Sequence, residues 1–308
     1  MTVPIPRIDD PDMPSWALIA GMLASFLIAQ NQHSFALDPP RAMPAVASLL
    51  LLSIAAYIGK HAGKPRLAAG ATAFLQMTIF TVLGVVLAYA LAAHAGDLWD
   101  SRLAAADRAL GFDWPLVLLV LDRFPPVIWV LGLAYHSLTL QMIVVIVVLS
   151  GTSRFETLRT MVCAAILSGF VTILISGVVP AMGNLFDPFH YRHLWPSIAW
   201  LERDLITGLR DGSLHVLDLT MLMGIVSFPS FHATLAAIFI WALWSVPRLA
   251  VPGGAWAILT IVATPVFGGH YGVDVIMGLL LAPPAILAAG RFTRRTQPSS
   301  RVLAVVPA

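Results

Sequence analysis

Charged side chains are scarce in this sequence: Asp, Glu, Lys and Arg make up 11% of its 308 residues, whereas hydrophobic residues make up 58%. Soluble globular domains carry about 25% charged residues. The deficit excludes an ordinary soluble domain and leaves too little polar sequence for a separate one. We therefore predict a single membrane domain over residues 1–308, with membrane lipids rather than nucleic acid as partners.

Cysteine is equally scarce, because Cys163 is the only one. This excludes an intramolecular disulfide, and the surrounding apolar run indicates a small core residue. Near the start of the sequence, Asp9, Asp10 and Asp12 are not typical of a cleaved signal, so we expect the first apolar run to be retained. At the other end, residues 291–308 are predicted to be a flexible, basic, cytoplasmic tail.

Long apolar runs, in contrast, are abundant. A helix needs about 20 mostly apolar residues to cross a bilayer, and this length predicts an all-α, polytopic transmembrane bundle of about eight spans. The predicted spans are residues 14–32, 42–59, 68–93, 126–150, 158–180, 229–247, 254–268 and 270–290. Two long connections remain. Residues 94–125 are predicted to hold a helix at the membrane interface, and residues 181–228 lead directly into the first chemical motif.

The distribution of Lys and Arg predicts which side each connection faces, since basic residues favour the cytoplasm. With the N-terminus inside, the cytoplasmic side holds most of the 18 basic residues and a minority of the 16 acidic ones. We therefore expect a multi-pass protein of a bacterial inner membrane with both termini in the cytoplasm. The inner basic residues are Arg7, Lys60, Lys64, Arg66, Arg154, Arg159, Arg248, Arg291, Arg294, Arg295 and Arg301.

The first chemical motif runs from Ser227 to His232 and reads SFPSFH. Proline suits the first turn of a helix, and Ser227 and Ser230 can cap its free amides. A helix N-terminus favours anions, because its amides and its dipole attract negative charge. His232, one turn in, could then donate a proton to the oxygen that leaves a bound phosphate.

The second motif runs from Gly268 to Asp274 and reads GGHYGVD. His270 and Asp274 are four residues apart and therefore share one helix face. The carboxylate can accept the Nδ1–H of the imidazole, which fixes the tautomer and leaves Nε2 free to attack. On the predicted topology both motifs reach the outer, non-cytoplasmic face. One histidine near a helix end is usually structural, but two histidines and a carboxylate on one face are hard to explain by packing.

Together these motifs resemble the second and third signature blocks of the type-2 phosphatidic acid phosphatase (PAP2) superfamily, most closely its inositol phosphorylceramide synthase (inositolphosphotransferase-like) branch. In that branch the second block tends to read Phe-Pro-Ser-x-His, as residues 228–232 do. The third reads Ala-Thr, five residues, then His-Tyr-x-x-Asp, as residues 263–274 do. The resemblance implies that His232 is the general acid, His270 the nucleophile and Asp274 its orienting carboxylate. It also implies a PAP2-like catalytic core over about residues 94–290.

Cationic residues of the superfamily pattern are missing. The first block, Lys, six residues, then Arg-Pro, is absent. Thr264 stands at the arginine position of the third block, and Phe231 at the glycine position of the second. Because a phosphate favours contact with Arg or Lys, we predict that Arg210 takes this role, with Arg192 and Arg203 as alternatives.

The remaining predicted substrate contacts are Ser230, Tyr271, Tyr135 and His136. Tyr135 and His136 share an otherwise apolar span with Ser137 and Gln141. Such polar groups contact either substrate or neighbouring helices. Two histidines of the 181–228 connection, His190 and His193, have a spacing that could ligate a metal, but a third ligand is not evident. We therefore predict no metal and no cofactor.

These features predict an integral-membrane lipid phosphatase or phosphotransferase that forms a phosphohistidine at the non-cytoplasmic face. Its substrate would be a lipid phosphate or a phospholipid. Water as acceptor would make it a hydrolase, and an alcohol such as inositol a phosphotransferase; the residues leave both open, as they do the oligomeric state. Two alternatives remain: a catalytically inactive lipid-binding relative, and a transporter, since polar residues in spans also mark permeation paths.

Overall fold

The computed structural model describes residues 11–30, 36–214, 216–218 and 223–295. Over these residues the fold is all-α, as predicted, apart from one short parallel pair of strands. The helices are α1 (Met13–Gln30), α2 (Pro39–His61), α3 (Pro65–His94), α4 (Asp100–Ala109), α5 (Trp114–Leu121), α6 (Pro125–His136), α7 (Leu138–Gly151), α8 (Phe155–Val178), α9 (Ile198–Asp211), α10 (Phe231–Leu243), α11 (Pro247–Ala263) and α12 (Gly272–Arg295). The strands β1 (Ala36–Leu37) and β2 (Val216–Leu217) join the connection before α2 to the connection after α9.

Proline sets where many of these helices begin. It stands in the first turn of α2, α3, α5, α6 and α11, where its missing N–H is not needed and its fixed φ suits a helix. Between α5 and α6 the chain bends by 113°. Residues 94–125, predicted to hold one interfacial helix, hold two short helices, α4 and α5.

Each predicted span coincides with helical structure, but not every helix is long enough to cross a bilayer. Five helices qualify by length and composition, or six if the bent pair α5–α6 forms one span. The five are α2, α3, α8, α12, and α11 together with the turn that follows it. α10 has 13 residues, which reach about 20 Å, whereas the bilayer core is about 30 Å thick. The described residues therefore contain five or six candidate spans, where the sequence predicted about eight.

α8 lies at the centre of the bundle, where it packs against α3, α10 and α12. Cys163 on this helix is fully buried, which confirms the prediction that it is a core residue. A second apolar core joins α5 and α6 to the turn after α11 and to the segment around Phe186 and Leu194. The first histidine motif directly follows Val226, which packs on the core around α8, and the second directly follows Phe267 of this second core.

α12 continues through Pro283 and Pro284 to Arg295, so the first five residues of the predicted tail are helical. The last turns pack against α8, where the hydroxyls of Thr293 and Thr160 are 3.2 Å apart. This buried contact explains why residues 291–295 are helical. The predictions for residues 1–10 and 296–308 lie outside the described residues.

Candidate active site

His270 lies in the loop that leads into α12. Its Nδ1 is 2.9 Å from the carbonyl oxygen of Ser227 and 3.4 Å from Oδ2 of Asp274. Both acceptors favour a proton on Nδ1, which leaves Nε2 unprotonated. The motif spacing predicted the contact with Asp274. The closer acceptor, the Ser227 carbonyl, comes from the other motif and was not predicted.

Asp274 is fully buried and ties the two motifs together. Its Oδ2 accepts hydrogen bonds from the Ser227 hydroxyl and from the Tyr271 amide, both at 2.9 Å. Its backbone carbonyl accepts the Ser230 amide, also at 2.9 Å. Its Oδ1 has no hydrogen-bond partner among the described residues. Asp274 therefore fixes the relative position of His270 and the start of α10.

His232 is the second residue of α10 and so lies nearer the helix start than predicted. Ser230 caps this helix by accepting the Ala233 amide, as expected for its side chain. The His232 ring stacks on Tyr135, with centroids 4.6 Å apart and planes 14° apart. Its centroid lies 6.2 Å from that of His270. The fold thus brings together the two histidines, although they are far apart in sequence.

A small cavity lies between the two histidines. His232, His270 and Tyr135 line it together with Ser227 and Glu202. Among the described residues that line it there is no lysine or arginine. The glycines before His270 keep its walls close: a Cβ at Gly268 would lie 2.7 Å from Cδ2 of His270.

Four predicted substrate contacts do not line this cavity: Arg210, Ser230, Tyr271 and His136. Arg210 donates from Nη2 to the Gly96 carbonyl at 2.8 Å and lines a neighbouring pocket. The Tyr271 hydroxyl donates to Asp100 Oδ1 at 3.1 Å. His136 is exposed, with its ring edge-on to Tyr135. Their roles in substrate binding stay predictions, and the cavity gives support only to Tyr135.

The polar residues Ser137 and Gln141 join helices. Gln141 Nε2 donates to the Thr260 hydroxyl at 2.8 Å, and the Trp256 indole donates to the Ser137 hydroxyl at 2.9 Å. The sequence left open whether these residues contact substrate or neighbouring helices. In the structure they hydrogen-bond to a neighbouring helix. Thr264, which stands where the PAP2 pattern has arginine, is buried and donates to the Thr260 carbonyl at 2.7 Å.

Asp107 holds the His270 loop in place and was not predicted as a site residue. It is 1% exposed, and its Oδ2 and Oδ1 accept the amides of Gly272 and Val273 at 2.7 and 2.8 Å. The Trp114 indole donates to the same carboxylate. A carboxylate there satisfies the free amides of α12 and suits its dipole. The sequence signal that could have found it is a weaker likeness of residues 107–114 to the PAP2 pattern.

Glu202 is the other residue that was missed. It lies on the buried face of α9, which also includes Ala199, Ile206 and Leu209. The spacing of these residues was the available signal, because an acid on the apolar face of an amphipathic helix is unusual. Glu202 lines the same cavity as the two histidines.

A larger apolar cavity of about 300 Å³ adjoins this site. Its walls come mainly from α3, α7, α8 and the start of α10, and they include Phe231 and His232. His232 thus lines both cavities. Phe231, which stands where the PAP2 pattern has glycine, contributes its ring to the apolar one.

Comparison with known families gives one match. A model of the PAP2 superfamily matches residues 101–288, a range that includes both histidine motifs and Asp107. No curated protein and no solved structure matches the chain.

Proposed function

Because this chain belongs to the PAP2 superfamily, whose members are phosphatases and phosphotransferases, we propose that it transfers a phosphoryl-type group from a lipid phosphate through a phosphohistidine on His270. The observation that carries this proposal is the pair of imidazoles on one cavity. One of them has its Nδ1 held by Ser227 and Asp274. A nucleophile oriented by a buried acceptor is the usual arrangement for covalent catalysis.

The proposed reaction has two steps. Nε2 of His270 attacks phosphorus, the bond to the leaving oxygen breaks, and protonated His232 gives its proton to that oxygen. An acceptor hydroxyl then gives its proton to the neutral His232 imidazole and attacks phosphorus, which releases His270. Water as acceptor yields phosphate, and an alcohol yields a new phosphoester. The inositolphosphotransferase-like branch would use an alcohol.

The apolar cavity supports a lipid as the substrate. It meets the catalytic cavity at His232, so a hydrocarbon chain lying there would bring its phosphate to the histidines. Pockets lined by apolar side chains with a few convergent polar groups are typical ligand sites. Membrane-spanning helices around it would let a lipid reach the cavity from the bilayer.

We also propose that the site faces the non-cytoplasmic side and that both termini lie in the cytoplasm. The positive-inside rule supports this orientation. Lys60, Lys64, Arg66 and Arg154 lie in or within two residues of the connections α2–α3 and α7–α8, whereas the site is formed by the ends of helices that these connections do not join.

Turnover of lipids by the purified protein tests the proposed function. We expect release or transfer of the labelled headgroup phosphate from at least one member of a panel in detergent micelles: a phosphatidic acid, a prenyl phosphate and a phosphatidylinositol. Each is assayed with and without inositol, which separates hydrolysis from transfer. If no lipid of the panel is turned over, the inactive lipid-binding relative or the transporter becomes the better interpretation.

Filling the apolar cavity should weaken binding of long-chain substrates. Met142 lines this cavity, and Met142→Trp should displace about two methylene groups of a bound chain, which raises KM about tenfold. A short-chain, water-soluble ester of the same headgroup should keep its KM. Leu140→Trp, at a site that is 59% exposed on the same helix, is the matched control. An equal effect on long and short chains would contradict the assignment of this cavity.

A further inference from the structure

Glu202 has an environment that a structural carboxylate rarely occupies. It is 3% exposed, and its Oε1 has no hydrogen-bond partner among the described residues. Burying an unpaired polar group costs free energy, about 1–3 kcal/mol in proteins. A fold that keeps such a group in a cavity beside two catalytic histidines gains nothing in stability from it, which points to a role in binding or catalysis.

The protonation state of Glu202 follows from its burial. α9 is not among the helices that could span a membrane, and desolvation of the side chain raises the pKa of the Glu202 carboxyl to about 8. Below that pH the carboxyl is neutral and carries an O–H that can donate. Above it the group is an anion, which would repel a phosphate.

The cavity offers few other donors for a phosphate. No lysine or arginine lines it in the described part of the chain. Thr264 donates its hydroxyl to the Thr260 carbonyl of α11, and Arg210 donates to backbone carbonyls outside the cavity. Charge that develops on phosphoryl oxygens during transfer has to be stabilised by a donor fixed in place.

We propose that Glu202 is a catalytic residue whose protonated carboxyl donates a hydrogen bond to a phosphoryl oxygen of the substrate, in place of the missing cationic side chain. This inference rests on the proposed phosphoryl transfer. It assigns the carboxyl a role as donor, distinct from the proton transfer carried out by His232.

Two substitutions distinguish a donor from a proton-transferring group. Glu202→Gln keeps an N–H donor of nearly the same size, whereas Glu202→Ala removes the donor. With the lipid of the panel that the wild type turns over fastest, we expect Glu202→Ala to lower kcat/KM about 100-fold. Glu202→Gln should stay within about tenfold of the wild type, because its amide N–H replaces the carboxyl O–H as the donor. Asp204→Asn, at an 84% exposed position of the same helix, is the matched control and should leave kcat/KM unchanged.

The pH dependence of kcat/KM gives a second readout. The wild-type value should fall as pH rises through about 8, since the donor is then lost, and Glu202→Gln should not show this fall. The titratable groups that face Glu202 are the phenols of Tyr89 and Tyr135 and the imidazoles of His232 and His270. The wild type and Glu202→Gln both contain these four groups, so a difference between their pH profiles can be assigned to Glu202.

The thermal unfolding temperature separates this role from a structural one. Because Oε1 has no partner to lose, both Glu202 variants should unfold at or above the wild-type temperature. A Glu202→Gln protein as inactive as Glu202→Ala, or a Glu202→Ala protein as active as the wild type, would overturn the donor role alone. A wild type without turnover, or one that His270→Ala matches in rate, would overturn the proposed function and this inference with it.

Discussion

Replacing His270 with alanine is expected to lower turnover of the lipid substrate by about 1000-fold or more, because the group proposed to attack phosphorus is removed. The side chain is 6% exposed and makes its polar contacts through Nδ1 with Ser227 and Asp274. Without the imidazole, Asp274 Oδ2 keeps its bonds from the Ser227 hydroxyl and the Tyr271 amide, so the variant should still insert and fold. The measurement is the rate of phosphate release or transfer in detergent micelles.

A covalent intermediate gives a direct check on the same variant. Rapid quenching of the wild type with labelled substrate should trap acid-labile, alkali-stable phosphate on the protein, and His270→Ala should trap none. His190→Ala is the matched control, since this imidazole is 77% exposed and lies away from the cavity. Turnover by His270→Ala at the wild-type rate would rule out His270 as the nucleophile.

Replacing Asp107 with alanine is expected to destabilise the protein and to lower its activity, although Asp107 does not line the proposed catalytic cavity. The carboxylate accepts two backbone amides of α12 and the Trp114 indole. Leaving these buried donors unpaired should cost about 3 kcal/mol. For a chain of 308 residues, that corresponds to a fall of about 5 °C in the unfolding temperature.

Activity should fall as well, because Gly272 and Val273 directly follow the His270 loop. A displacement of the nucleophile by about 1 Å is enough for a loss of about 100-fold in kcat. Asp113→Asn serves as the control: Asp113 caps α5 by accepting the Leu116 amide, and asparagine caps equally well. If Asp107→Ala unfolded at the wild-type temperature, Asp107 would not hold the start of α12.

The contact between His270 and Asp274 and the cap at Ser230 could be predicted because their signals are local. The structure has both, although His270 lies in the loop before α12 and not on one helix face with Asp274. The contact between the motifs could not be predicted in this way. Ser227 reaches both His270 and Asp274 from 43 and 47 residues away, a distance at which sequence periodicity says nothing about which groups meet.

The number of membrane spans likewise depends on both local sequence and tertiary contacts. Hydropathy located each apolar segment, because burial in lipid or in protein requires the same apolar residues. It could not tell a full span from a shorter helix such as α10, since Ser230 and the hydrogen bonds to Asp274 decide where that helix begins. The continuation of α12 to Arg295 depends likewise on its contact with α8.

By itself the sequence determined the membrane class, the positions of the helices, and the two histidines with their carboxylate, because composition and short-range spacing are local properties of the chain. The tertiary structure alone decided what surrounds them. It put Asp107 under the start of α12, left Arg210 outside the cavity and buried Glu202 inside it. Each of these positions follows from packing between segments far apart in sequence, and local sequence patterns do not show which distant segments pack together.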